Sequence, residues 1–117
     1  MGKPHEQLDA WKFSMQLVKA VYQLTADFPV EERYGLAQQM RRAAVSIPSN
    51  IAEGAGRNGA KEYLYFIGIS CGSLSELETQ MQLAVMLDFI GSDHAAFELA
   101  DRTGKLLTGL HKKWSIA

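Results

Sequence analysis

From Lys61 to about Asp88 the chain carries Tyr63, Ile67, Ser70, Leu74, Leu77, Met81 and Ala84 at steps of four, three, four, three, four and three. Alternating steps of three and four hold one stripe on one side of a helix, so this spacing predicts a long helix packed lengthwise against others. Such a helix needs partners of comparable length. Upstream, Leu8, Trp11, Met15, Val18, Tyr22 and Thr25 form one helical row, and Ala10, Ser14, Leu17, Val21, Leu24 and Phe28 form a second beside it. Asp9 is the expected N-cap, and Phe28-Pro29 the expected end, since a residue before proline disfavours helical angles. Downstream, Gly91-Ser92-Asp93 reads as a turn with Ser92 or Asp93 as N-cap. A final helix then carries Ala96, Leu99, Thr103, Leu106 and Leu110 toward the cations of "HKKW".

The segment "RRAAVSIPSNIAEG", Arg41 to Gly54, has a proline in its interior. Its apolar stripe, Leu36, Met40, Ala43, Ile47 and Ile51, passes Pro48 without a change of phase, which predicts one helix kinked at Pro48 rather than two elements. Proline costs about 3 kcal/mol inside a helix and strips the carbonyl four residues back, that of Ala44, of its donor. Ser46 and Ser49, or a water, are expected to satisfy that carbonyl.

These readings give an all-α fold, an up-down-up-down antiparallel four-helix bundle in a single domain spanning 1–117, with helices at about 9–28, 33–54, 60–88 and 93–113. A 117-residue chain that is 47% hydrophobic has enough apolar material for one core without disulfides or metal. Twelve Lys and Arg against thirteen Asp and Glu leave no global field for a polyanion, so any nucleic-acid contact must come from a local patch. Cys71 is the single cysteine, which excludes an intrachain disulfide and fits a cytoplasmic, reducing compartment. The N-terminal "MGKPHEQLDAWK" has no secretory h-region, and apolar runs such as Leu83 to Leu87 are too short to span a bilayer, so no membrane partner is expected.

Arg42, Ser46, Ser49, Asn50 and Glu53 share one face of the proline-bearing helix. On the third helix Gly68 and Gly72, four apart, are expected to admit a neighbouring backbone, with Ser70, Ser73 and Glu76 as polar partners. Two roles fit this interhelical network: fixing the register of the second and third helices, or facing a groove or a second subunit.

"GAGRNG", residues 54–59, matches G-x-G-x-x-G, but a dinucleotide site needs a strand before the glycines, and here a helix precedes them. Gly54 or Gly56 reads as a helix end and Gly59 as the N-cap of the next helix. Arg57, Lys61 and the free N–H groups of that helix start remain a candidate phosphate site. No Glu-x-x-His occurs, and His5, His94 and His111 lie on separate segments, so neither metal nor other cofactor is expected. Cys71 has no nearby histidine in sequence and reads as a small buried residue. No catalytic residues are expected, and the chain is read as a non-enzyme.

The basic residues gather at Arg41-Arg42, at Arg57 with Lys61, and at His111-Lys112-Lys113. Repeated around a ring of identical subunits, one such patch becomes a belt able to hold a phosphate backbone. Trp11, Phe13 and Trp114 are large for one small bundle to cover, a second reason to expect self-association.

"LAQQMRRAAVSIPSNIAEGAGR", "KEYLYFIGISCGSLSELETQMQLAVMLDFI" and "LDAWKFSMQLVKAVYQLTADFP" together resemble the four-helix family encoded in intervening sequences of 23S ribosomal RNA genes, which also includes the accessory variability determinant of diversity-generating retroelements. The likeness runs from about Leu8 to Leu110. Its signature here is Gln39, Arg41, Arg42, Ser46, Pro48, Asn50, Glu53, Gly54 and Arg57, then Gly72, Ser73, Glu76 and Glu78. The resemblance implies a homopentameric barrel without enzymatic activity and, for the retroelement proteins, a strongly basic surface for nucleic acid and a reverse transcriptase. This chain departs from them in its balanced charge, and Gly59 stands where relatives tend to carry serine. The family is named for a genomic location. Two functions follow as expectations: a homo-oligomer that binds nucleic acid, RNA first, through Arg41, Arg42, Arg57 and Lys61, or a scaffold that docks a protein partner and touches no nucleic acid.

Overall fold

A computed structural model describes residues 3–115. Four α-helices account for most of them: α1 (Asp9–Thr25), α2 (Leu36–Ala55), α3 (Ala60–Met86) and α4 (Ala95–Ser115), with short 3-10 turns at Pro4–Gln7 and Val30–Glu32. No strand occurs among the described residues. Helices adjacent in the chain touch, and α1 closes the circuit against α4; the diagonal pairs make no backbone approach among the described residues. The resulting body measures 45 × 25 × 21 Å, its length set by α3, whose 27 residues rise about 1.5 Å each.

All seven seam residues of α3 are buried. On α2, Met40, Ile47 and Ile51 are wholly inaccessible. They meet Leu17 and Val21 of α1, Ile67, Leu77 and Met81 of α3, and Leu107 of α4 in one core. Of the two rows on α1, the one containing Leu17 faces inward, while Met15 and Tyr22 of the other are 46% and 44% exposed. On α4 the buried set is Ala96, Ala100, Thr103 and Leu107, so the inward stripe lies one residue round from Leu99 and Leu106.

Pro48 sits inside α2, buried and without interrupting it. The serines do not serve the Ala44 carbonyl as expected. Ser49 donates instead to the Val45 carbonyl at 2.7 Å, and Asn50 Nδ2 to the Ser46 carbonyl at 2.8 Å. These bonds tie the turn around the proline to itself.

The helix ends differ from expectation by up to three residues. Asp9 is the first helical residue rather than the cap, which is Leu8. α1 stops at Thr25, where Phe28 turns back to meet Phe89 with ring centroids 5.2 Å apart. α4 is capped by neither Ser92 nor Asp93: His94 Nδ1 accepts the Ala96 N–H at 3.0 Å, because the turn through Gly91 carries the chain past both before the helix begins. Gly59 caps α3 as expected, with φ of 106° in the region glycine tolerates.

The close approach of α2 to α3 also lies elsewhere than expected. A Cβ on Gly68 or Gly72 would meet nothing within 4 Å, and both residues are exposed. On Gly54 it would stand 3.0 Å from Phe66 Cβ and 3.3 Å from the Tyr63 carbonyl oxygen, so the notch is on α2.

Candidate functional site

The polar row of α2 divides into a half-buried pairing and a set of exposed groups. Ser46 Oγ and Ser73 Oγ lie 2.8 Å apart, and Asn50 Nδ2 donates to Ser46 Oγ at 3.0 Å. One step deeper, the Ser70 hydroxyl donates to the Ile47 carbonyl at 2.9 Å. Ser46 pairs with Ser73, Ile47 with Ser70 and Gly54 with Tyr63, so positions rising along α2 meet positions falling along α3. The remaining expected members do not join. Ser49 is exposed and bonded within its own helix, Glu53 is held by Arg57, Glu76 accepts from Gln80 at 3.3 Å, and Arg42 points into solvent. Long charged side chains gain more from water than from a seam packed closely enough for two serines to touch.

Of the four basic residues singled out by sequence, the structure brings two together. Arg41, Arg42, Tyr22, Gln38, Val45 and Ser46 line a groove of about 470 Å³ along the α1–α2 seam. Arg41 is fixed there: its Nε donates to Thr25 Oγ1 at 2.8 Å, its Nη2 to the Tyr22 carbonyl at 3.4 Å, and its guanidinium lies 4.5 Å from the Tyr22 ring centroid. These partners are neutral, so they orient the cation without cancelling it. Arg42 is exposed, and neither arginine forms an ion pair with a described residue. No carboxylate lines the groove.

Arg57 and Lys61 lie at the other end of α2. Arg42 and Ala55 are thirteen residues apart, roughly 20 Å along a helix. Arg57 is compensated by Glu53 Oε2, 2.7 Å from its Nη2, and by Glu62 at 3.9 Å, while its guanidinium stands 5.2 Å from the Phe66 ring. Lys61 is exposed and makes no ion pair among the described residues. The i, i+4 spacing of Glu53 and Arg57 was readable in the sequence; that the pair closes, at 2.7 Å, is what the structure adds.

A cleft of about 420 Å³ between α3 and α4 holds Cys71, Glu78, Asp101 and Lys105. Burial pushes the Cys71 thiol up, which favours its protonated form. Burial, and then the negative charge of Asp101, likewise raise the Glu78 carboxyl, while Lys105 Nζ sits 3.2 Å from Asp101. Among the described residues no three His, Cys, Asp or Glu side chains stand together as metal ligands would, and no helix is long and apolar enough to cross a membrane.

Compared with curated proteins, the chain matches none. The family model described as 23S rRNA-intervening sequence protein matches residues 6–109, a span that takes in α1, α2 and α3 whole and α4 as far as Gly109. With its four helices and its paired α2 and α3, the chain belongs to the 23S rRNA-intervening sequence protein family.

Proposed function

We propose that this chain is a non-enzymatic four-helix protein of one domain that assembles with copies of itself, five in the ring the resemblance implies, and holds nucleic acid, RNA first, along its Arg41–Arg42 groove. The observation that carries the binding role is the groove itself: two guanidiniums, one preoriented on Tyr22, with no carboxylate among the lining residues. A near-neutral chain can grip phosphate only where acids are locally absent, and copies around a ring multiply the patch. Arg57 and Lys61 are secondary contacts in this reading, since Arg57 is already paired.

Self-association draws support from α3. Tyr65, Gly68, Gly72, Thr79, Leu83 and Met86 fall on one line at helical spacing on the side away from the core, with Tyr65 66% and Met86 78% exposed. The three large apolar side chains exposed on that side, Tyr65, Leu83 and Met86, are surface that a second copy could cover. The opposed pairings of α2 with α3, and of Tyr63 with Trp114 and Leu74 with Gly104 across α3 and α4, support an up-down-up-down course. The buried proline favours a bend in α2 at Pro48. The lone thiol suits a cytoplasmic setting.

The test is the solution mass of the purified protein before and after nuclease, followed by binding to a structured RNA across a salt series. Expected are a mass several times that of one chain and an affinity that falls steeply with salt. A monomer, or binding indifferent to salt, would refute the proposal. A second reading, a scaffold for a protein partner without nucleic acid, is favoured by the exposed Val30, Tyr34, Met86 and Leu87. It predicts an oligomer that retains no RNA and co-purifies with a protein bound through those residues.

A further inference from the structure

The turn between α2 and α3 presents the dipeptide Asn58-Gly59 at the surface, both residues exposed. The backbone bonds that fix this turn stop on either side of the peptide group joining them. The Arg57 N–H donates to the Gly54 carbonyl at 3.1 Å, and the Gly59 carbonyl accepts from the Tyr63 N–H at 3.3 Å. Neither the Asn58 side-chain amide nor the Gly59 N–H makes a hydrogen bond to a described residue. A Cβ on Gly59 would meet nothing within 4 Å, so the space beside its α-carbon is open.

The chain has one other asparagine, Asn50, and its surroundings are the opposite. It lies inside α2, where its Nδ2 donates to the Ser46 carbonyl at 2.8 Å and to Ser46 Oγ at 3.0 Å. The residue after it is Ile51, β-branched and wholly inaccessible. Within a helix the N–H that follows is committed to the carbonyl four residues back, so it becomes available only when the helix opens. The two asparagines thus differ in access, in what holds the side-chain amide and in the bulk that follows.

We propose that Asn58 is a site of spontaneous modification, converted to aspartate and isoaspartate with loss of ammonia. The Gly59 nitrogen, having given its proton to solvent, attacks Asn58 Cγ. A C–N bond forms, the Cγ–Nδ2 bond breaks, and ammonia leaves a five-membered succinimide. Water then adds to either ring carbonyl, opening the ring to aspartate when the side-chain carbonyl is attacked or to isoaspartate when the backbone carbonyl is. Solvent water is the only co-reactant, and nothing is oxidised or reduced. The positive end of α3 lies at this nitrogen, with Arg57 and Lys61 flanking it in the chain, so the local field favours both the anionic nitrogen of the attack and the carboxylate of the product. Each conversion adds one negative charge between Arg57 and Lys61, and isoaspartate also lengthens the α2–α3 turn by one backbone carbon. The reaction stands apart from the arginine groove and does not depend on nucleic-acid binding.

The experiment ages the intact protein at body temperature in mildly alkaline buffer, with peptide mapping by mass spectrometry at intervals. Enzymatic methylation of isoaspartyl carboxyls is the second readout. No aspartate of the chain precedes a glycine, so isomerisation of an Asp-Gly bond adds nothing to that signal. Expected is replacement of amide by carboxyl at Asn58 at least roughly tenfold faster than at Asn50, which must wait for α2 to open. Asn58→Ser should abolish the methylation signal. A linear peptide of residues 54–62 gives the rate without the fold, and the intact protein should react within about tenfold of it, because nothing in the turn holds the amide. A rate at Asn58 no higher than at Asn50, isoaspartate persisting in Asn58→Ser, or an intact protein slower than the peptide by more than that factor would each overturn the proposal.

Discussion

Replacing single glycines by alanine separates the helix contact the fold uses from the surface it leaves open. At Gly54 the added methyl would sit 3.0 Å from Phe66 Cβ and 3.3 Å from the Tyr63 carbonyl oxygen, against an optimal carbon–carbon spacing of about 3.5–4.0 Å. Neither neighbour is the free end of a flexible side chain, so relief requires α2 and α3 to move apart, the kind of overpacking that costs about 1–3 kcal/mol. At Gly68 and Gly72 the same methyl meets nothing within 4 Å, and the substitution gains the roughly 1 kcal/mol by which alanine exceeds glycine inside a helix. Gly54 lies near the end of α2, where that gain is smaller, so subtracting one variant from the other leaves at least the clash. Gly54→Ala should therefore be less stable than Gly68→Ala by at least about 1 kcal/mol. Urea unfolding at one fixed protomer concentration, followed by helical circular dichroism, reads this as a shift of midpoint at constant slope. If Gly54→Ala unfolds at the same urea concentration as Gly68→Ala or a higher one, the α2–α3 approach described above is wrong. The open glycines carry a second expectation: if α3 packs against another copy, Gly72→Ala should raise the stability of the dissociated chain while weakening assembly, seen as a lower mass in dilute solution.

The Ser46–Ser73 pair should show a coupling of about 0.5–1.5 kcal/mol in a double-mutant cycle with alanine, measured by the same unfolding, and a coupling of zero would remove the bond from the stability of the fold. Arg41→Ala with Arg42→Ala should weaken structured-RNA binding and flatten the salt dependence by roughly one to two units of logarithmic slope, whereas Arg57→Ala, whose charge Glu53 already offsets, should change affinity by less than about threefold; fluorescence anisotropy across salt ranks them, and the reverse order would refute the assignment. Burial and Asp101 raise the Glu78 carboxyl, so folding favours its protonated form: the associated stability is complete below the ordinary carboxylate range and is lost as pH rises through the raised value. Glu78→Gln should accordingly stabilise the fold at about pH 7 by roughly 0.2–0.5 kcal/mol, the scale of neighbouring like charges on helices, and have little effect at about pH 3. Equal effects at both pH values in thermal unfolding would count against this placement of the carboxyl.

Much of the fold was legible because it rests on periodicity. The α3 seam predicted seven of that helix's eight buried residues, missing Gln80, and the unbroken phase across Pro48 predicted the continuity of α2. Helix ends were less legible, since they depend on which local polar group wins the exposed backbone. His94 outcompetes Ser92 and Asp93 because of where the turn releases the chain, a three-dimensional fact with no signature in composition.

The candidate sites were legible in type more than in place. Small polar residues on α2 and α3 were recognised as partners, and Ser46, Asn50 and Ser73 do meet; the charged members of the same row do not, because helical spacing reports which way a side chain leaves the axis but not how closely the facing backbone comes. Glycine is ambiguous for the same reason. Gly54 and Gly72 are both glycines of helices that face one another, yet one is pressed against Phe66 and the other opens to solvent. The helices also enclose a hollow at Tyr63 and Trp114, of which only the Arg57–Gly59 turn had a signal in the sequence. Its walls come from the turn at Pro4, the start of α1, the end of α2, the start of α3 and the end of α4, so it exists only after the bundle has closed. A motif search detects chemistry carried by one segment, whereas in a four-helix protein the chemistry collects where segments end.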